Sequence, residues 1–180
     1  MRTFKVIAGE IRDEPIMKTY KEEEVAPLIE YILSLSPPKS EEKFEMDRLA
    51  TGKSIFKTNC GICHNGPGYA GTRVFKMDEV GTDPNVARMV DPENSGKAVF
   101  DVLTPEELTG GVRARRLSGI FSRTLLLHNG SVTSLNDLFC LNGPRVPSTL
   151  GSGHSNAGHD FTCKLLPEEK KAVIYFLQSL

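Results

Sequence analysis

Gly52-Lys53-Ser54-Ile55-Phe56-Lys57-Thr58-Asn59-Cys60-Gly61-Ile62-Cys63-His64 is the stretch on which the reading of this chain turns. Its last five residues form a C-x-x-C-H run, the attachment signature for c-type haem. Two thiols a turn apart can each form a thioether to one vinyl group of the same porphyrin. The imidazole that follows is then held beneath the iron as its first axial ligand. One haem c is therefore expected on Cys60 and Cys63, with His64 as a metal ligand. A zinc ribbon asks for a second C-x-x-C, whereas Cys140 and Cys163 stand apart from each other. A thioredoxin-like dithiol asks for a strand–helix context, and no strand-like alternation precedes Cys60.

Working outward, a helix is predicted from about Met46 to Asn59. Gly52, Phe56 and Cys60 are four apart and share one of its faces. The glycine permits close approach of another helix, and Phe56 is placed to pack against the porphyrin edge. Upstream, Val25, Leu28, Ile29, Ile32 and Leu33 recur at helical spacing between Glu24 and Leu35, with Pro27 expected in the first turn. Ser36-Pro37-Pro38-Lys39-Ser40 stops that helix as a linker, and residues 1–18 have no clear period. Residues 1–40 thus form an arm and helix resembling the end of a preceding unit, and residues 41–180 form the haem domain.

Downstream, Asn65 to Gly71 is turn chemistry. Short helices are predicted from Pro84 to Met89, capped by Asp83, and from Thr104, whose capping box is completed by Glu107. Two more are expected at residues 117–121 and 134–141, and residues 152–158 are loop. The last helix starts at Pro167 and carries Val173, Phe176, Leu177 and Leu180 on one stripe. The expected architecture is mainly α with long irregular loops.

Composition agrees with a chain that borrows part of its core. Of 180 residues only 39% are hydrophobic, Trp is absent, and there are 16 Gly and 11 Pro. A haem would supply the missing apolar centre. With 22 basic and 23 acidic residues there is no nucleic-acid footprint. No window approaches the roughly 18 apolar residues of a membrane span. Charges interrupt the N-terminus too soon for a signal peptide. Yet covalent haem attachment is completed outside the cytoplasm, so a periplasmic or extracellular location is expected. Either an export signal has been removed or the sequence is part of a longer one.

The occupant of the sixth iron position decides function. Beyond His64 the chain has only His128, His154 and His159, and Met77 and Met89 are the best-placed methionines. Met77 lies between Lys76 and Asp78, and a Met such as Met89 more often faces a core. His128 suits a propionate or turn backbone as well as iron. Gly158 before His159 would let backbone approach a porphyrin. Chemistry alone leaves the candidates open.

Four co-linear stretches carry a family resemblance. They are Gly52 through His64, Val80-Gly81-Thr82-Asp83-Pro84, Ala114-Arg115 through Ser131-Val132, and Ser155 through Phe161 leading into the helix from Pro167. Over about residues 20–180 the chain resembles the C-terminal haem domain of the bacterial di-haem cytochrome c peroxidase superfamily, nearest its rubber-oxygenase-like branch. The resemblance implies a cytochrome c-like haem domain, with His128 beside the haem near its propionates and Arg115 as a propionate or framework partner. The family's methionine ligand would fall at Asn142, which cannot serve. The branch with a Gly-His loop uses a histidine from that loop, which ranks His159 first as sixth ligand, then His128, with His154 and Met77 behind. Family members carry a second, catalytic haem in an N-terminal domain, and this chain has a single C-x-x-C-H.

The resulting expectation is an exported c-type cytochrome that transfers single electrons through a six-coordinate iron to a redox partner protein. The rival is the electron-transfer half of a di-haem peroxidase or oxygenase, whose partner is a second haem domain. A disulfide between Cys140 and Cys163 is also expected, since neither belongs to the haem motif and exported proteins mature where thiols oxidise.

Overall fold

The computed structural model describes residues 22–85, 109–146 and 154–180, and the chain divides into two units. The arm at residues 1–18, Met89 and the helix predicted from Thr104 lie outside the described residues. In the first unit the described element is helix α1, Glu22–Ser34. Its hydrophobic spacing is as read, with Pro27 in the second turn rather than the first. Leu28, Tyr31, Ile32 and Leu33 on it are exposed.

The second unit, residues 38–89 and 111–180, holds the core and is mainly helical. Helix α2 spans Met46–Cys60 and buries Gly52, Phe56 and Cys60 on the predicted face. The four-residue spacing matters because it brings these side chains one above another along the helix. That face meets a later helix, Pro167–Gln178, at Gly52. A Cβ at Gly52 would overlap the backbone carbonyl of Ala172 and come within 2.8 Å of Phe176 Cβ. Only glycine permits this crossing.

Between the two helices the described residues are loop with short elements. Strand β1 (Phe75–Lys76) runs directly into α3 (Met77–Val80) and pairs antiparallel with β2 (Gly111–Val112). The sequence reading found no strand here because two-residue strands leave no alternation to detect. Of the two short helices expected later, one is a 3-10 turn at Ile120–Ser122 and the other is α4 (Leu135–Leu138). Ser134 caps α4 by accepting the Asp137 N–H. Asp83 accepts the N–H of Asn85, as a cap would, and the rest of that predicted helix lies outside the described residues.

The last helix, α5 (Pro167–Gln178), buries Val173, Ile174, Phe176 and Leu177. They pack with Phe56, Cys60, Ile120, Leu126, Val132 and Phe139 in one cluster. Burying each large apolar side chain contributes about 1.5–3 kcal/mol, so this α2–α5 seam holds the two helices together. Among the described residues no helix is long and apolar enough to cross a membrane.

Candidate functional site

Cys60 is the last residue of α2, and the chain continues as a tight turn. The N–H groups of Cys63 and His64 both donate to the Cys60 carbonyl, at 3.1 and 2.9 Å. This turn brings the two thiols and the imidazole to one end of the helix. Neither Cys60 nor Cys63 is in a disulfide. Burial, and then the neighbouring Cys63, push the Cys60 thiol up to about 11. Redox-active dithiols do the opposite: a helix N-terminus lowers the thiol pKa there. A helix C-terminus carries the wrong end of the dipole for a thiolate. Burial likewise raises the Cys63 thiol above its ordinary value.

His64 is fixed by a single bond. Its Nδ1 lies 2.7 Å from the backbone carbonyl of Tyr69. A carbonyl can only accept, so Nδ1 carries the proton and Nε2 keeps its lone pair. Burial holds the His64 pKa below its ordinary value, against the opposing pull of that bond, so the neutral ring is favoured. The bond exists because Tyr69 adopts a positive φ of 59° at the end of a 3-10 turn, Pro67–Tyr69. The turn is tied down by the Leu117 N–H donating to the Gly68 carbonyl at 2.9 Å and the Gly71 N–H to Ala114 at 2.8 Å. The Tyr69 ring packs edge-on against Phe56 and Phe176. Phe56 is buried, with its ring centroid 6.0 Å from that of His64.

The loop carrying His159 is where several distant segments meet. The Ser155 N–H donates to Asp83, its carbonyl accepts from the Asn129 amide at 2.8 Å, and Asn156 donates to the Val146 carbonyl. Gly158 has a φ of 117°, and a Cβ there would sit 2.9 Å from Thr82 Oγ1. The glycine therefore serves a left-handed turn packed on Thr82, a reason the sequence reading did not supply. His159 itself has a φ of 56°. Its Nδ1 is sealed from solvent with no protein partner. Burial first, then the charges of His64 and Arg145, push its pKa down to about 4 against the pull of Asp160. His159 is thus held toward its neutral form.

His128 takes a different position. It follows Leu127, at a φ of 63°, in the turn closed by the Leu126–Val132 bridge. Thr82 Oγ1 lies 3.3 Å from both His128 Nδ1 and the Ala157 carbonyl. With both bonds in place the hydroxyl proton goes to the carbonyl and His128 Nδ1 donates. His128 Nε2 is left buried and without a protein partner.

No protein-family model, no curated protein and no solved structure matches this chain. The site is read on its own chemistry.

Among the described residues no three His, Cys, Asp or Glu side chains form a cage for a bare metal ion. The donor set is instead two thiols and one imidazole with a fixed tautomer, with a second imidazole held toward its neutral form on the loop at His159. A buried ring nitrogen without a partner costs about 1–3 kcal/mol, and both His128 and His159 have one. These features fit a porphyrin held by two thioethers, with iron taking imidazole nitrogens. Of the other candidates, His154 is exposed, and Met77 is half-buried at the start of α3. Arg115 is exposed. Asn142, where the resembling family has methionine, gives its amide to Asp137 at 2.8 Å.

The guanidinium that the sequence reading passed over is Arg145. Its side chain is 8% exposed. It donates to the Gly158 carbonyl at 2.7 Å and pairs with the Asp160 carboxylate. No motif marks it, because its partners lie 13 and 15 residues away in sequence.

Proposed function

We propose that this chain is an exported mono-haem c-type cytochrome unit that carries single electrons. The observation that carries the reading is the His64 Nδ1–Tyr69 carbonyl bond at the end of the helix bearing Cys60 and Cys63. It fixes the tautomer a haem ligand needs and aims the ring through its other nitrogen. The fold on this reading is cytochrome c-like, with α2 and α5 crossed at Gly52 beside the cofactor.

Cys60 and Cys63 would hold the group through thioethers, each thiol adding across one vinyl double bond with its sulfur on one carbon and its hydrogen on the other. His64 and His159 would supply nitrogens to the iron, and Phe56 would supply an apolar wall beside His64. The bound haem supplies a one-electron ferric–ferrous couple, at lower potential with two histidines than with a His–Met pair. The protein's own work is to anchor, orient and shield it. The Cys140–Cys163 disulfide supports maturation in an oxidising compartment.

A second reading has one observation in its favour. Helix α1 exposes Leu28, Tyr31, Ile32 and Leu33. Such a face suits packing against another domain, as in the electron-transfer half of a di-haem peroxidase or oxygenase.

Expression with a haem-maturation system tests the leading reading. The expected product retains one haem through denaturation and acid–acetone extraction, and shows low-spin bands in both oxidation states. Cys60→Ala with Cys63→Ala should yield no covalent haem. A wild-type chain that matures without haem would sink the proposal, and high-spin bands with peroxide reactivity would favour the enzyme.

A further inference from the structure

We infer that Arg145 is the positioning residue that presents His159 to the iron. The inference rests on the haem reading above and adds a residue to it. One nitrogen of the guanidinium, Nη2, bonds the carbonyl of Gly158 and the carboxylate of Asp160, the two neighbours of His159. The clamp therefore holds the chain on both sides of the one residue between them. His159 needs such a clamp, because its left-handed backbone, at a φ of 56°, is strained for a non-glycine residue. Strain of this kind persists only where the surroundings over-determine it.

Other contacts show how the clamp is completed. The His159 carbonyl accepts from the N–H and the hydroxyl of Thr162, at 2.9 and 2.6 Å. The Thr162 hydroxyl also lies 2.7 Å from the Leu138 carbonyl, and Cys163 is bridged to Cys140. The loop is thus gripped from behind by α4 and from the front by Arg145. The His159 ring itself has no hydrogen bond at Nδ1 to orient it. Its aim is set through the backbone, and Arg145 is the charged group that sets it. Arg145 also keeps Nη1 buried without a protein partner, an uncommon cost for a residue with a purely structural role.

Loss of the clamp should free the loop without unfolding the helices, so the sixth ligand dissociates more often. The experiment compares wild type, His159→Ala, Arg145→Gln, Arg145→Lys and Asp160→Asn, all as holoproteins. The ferric spectrum and the rate of carbon monoxide binding to the ferrous form are read, with a thermal melt alongside. His159→Ala should be high-spin and bind carbon monoxide fast. Arg145→Gln should show a mixed-spin spectrum and bind it at least about tenfold faster than wild type, equal to about 1.4 kcal/mol lost from the closed loop. Arg145→Lys, which keeps a charged donor, should recover part of the wild-type rate.

Asp160 is largely exposed, so Asp160→Asn spares the fold and decides the matter if Arg145→Gln fails to mature. It should raise the rate in the same direction. Wild-type spectra and rates in both Asp160→Asn and every folded Arg145 variant, beside a high-spin His159→Ala, would overturn the clamp alone. An unchanged spectrum in His159→Ala would overturn the ligand assignment beneath it.

Discussion

The backbone carbonyl of Tyr69 lies 2.7 Å from Nδ1 of His64, five residues earlier in the chain. One residue thereby performs two tasks. Its carbonyl fixes which nitrogen of His64 is protonated, and its ring packs edge-on against both Phe56 and Phe176. The orientation of His64 is thus tied to the seam between α2 and α5.

Gly52→Ala is expected to destabilise the fold by about 1–3 kcal/mol, the usual cost of forcing an extra carbon into a close-packed contact. The added methyl would overlap the Ala172 carbonyl, which belongs to helix backbone and cannot turn aside. Denaturant unfolding of the holoprotein measures the loss. A midpoint equal to wild type would mean that the helices do not cross at Gly52.

His159→Ala and His128→Ala should separate cleanly by spectrum. The first is expected to turn a low-spin haem high-spin. The second should leave it low-spin, because the proposed sixth ligand is His159, while His128 Nδ1 is tied to Thr82. The reverse outcome, conversion by His128→Ala alone, assigns the sixth position to His128.

Breaking the Cys140–Cys163 bridge as the double serine variant should cost about 3 kcal/mol, the chain-entropy value for a loop of this size. It should also weaken the hold on His159, seen as faster binding of carbon monoxide. Intact mass after alkylation under denaturing, non-reducing conditions checks the bridge itself. Two alkylated cysteines without prior reduction would show that it is not formed.

Acid should unfold the protein through Asp83 and Asp137. The backbone N–H of Asn85, its side chain and the Ser155 N–H hold the buried Asp83 below its ordinary value, with the charge of His128 adding to them. The Ser134 hydroxyl and the Asn142 amide do the same for Asp137. A carboxylate whose folded pKa is depressed contributes stability that is present above its unfolded pKa, about 3.9. That stability is lost as pH falls through the lower folded pKa. Unfolding midpoints should therefore drop as the pH is lowered below about 4, and Asp83→Asn with Asp137→Asn should flatten the slope. Parallel pH curves for variant and wild type would contradict the assignment.

What the sequence by itself determined is local. The four-residue recurrence of Gly52, Phe56 and Cys60 marked α2 and its buried face. Pro167 and the stripe ending at Leu177 marked α5. Helices declare themselves because their contacts lie three and four residues apart, within reach of a short pattern. The C-x-x-C-H run is legible for the same reason, and so was the pairing of the two remaining cysteines once export was expected.

Tertiary structure decided how the imidazoles are held. The positive φ of Tyr69 and of His159 has no signature in residue type, since neither is glycine. Arg115 and Arg145 look alike in a sequence, yet one is exposed and the other is buried around Gly158 and Asp160. The Ser155–Asp83 bond spans 72 residues, and the Asn129–Ser155 bond spans 26. Contacts of that separation form only after loops have closed and helices have packed, so no window of the sequence contains both partners. The motif says which atoms are present, and the packing of loops on the α2–α5 seam says where they point.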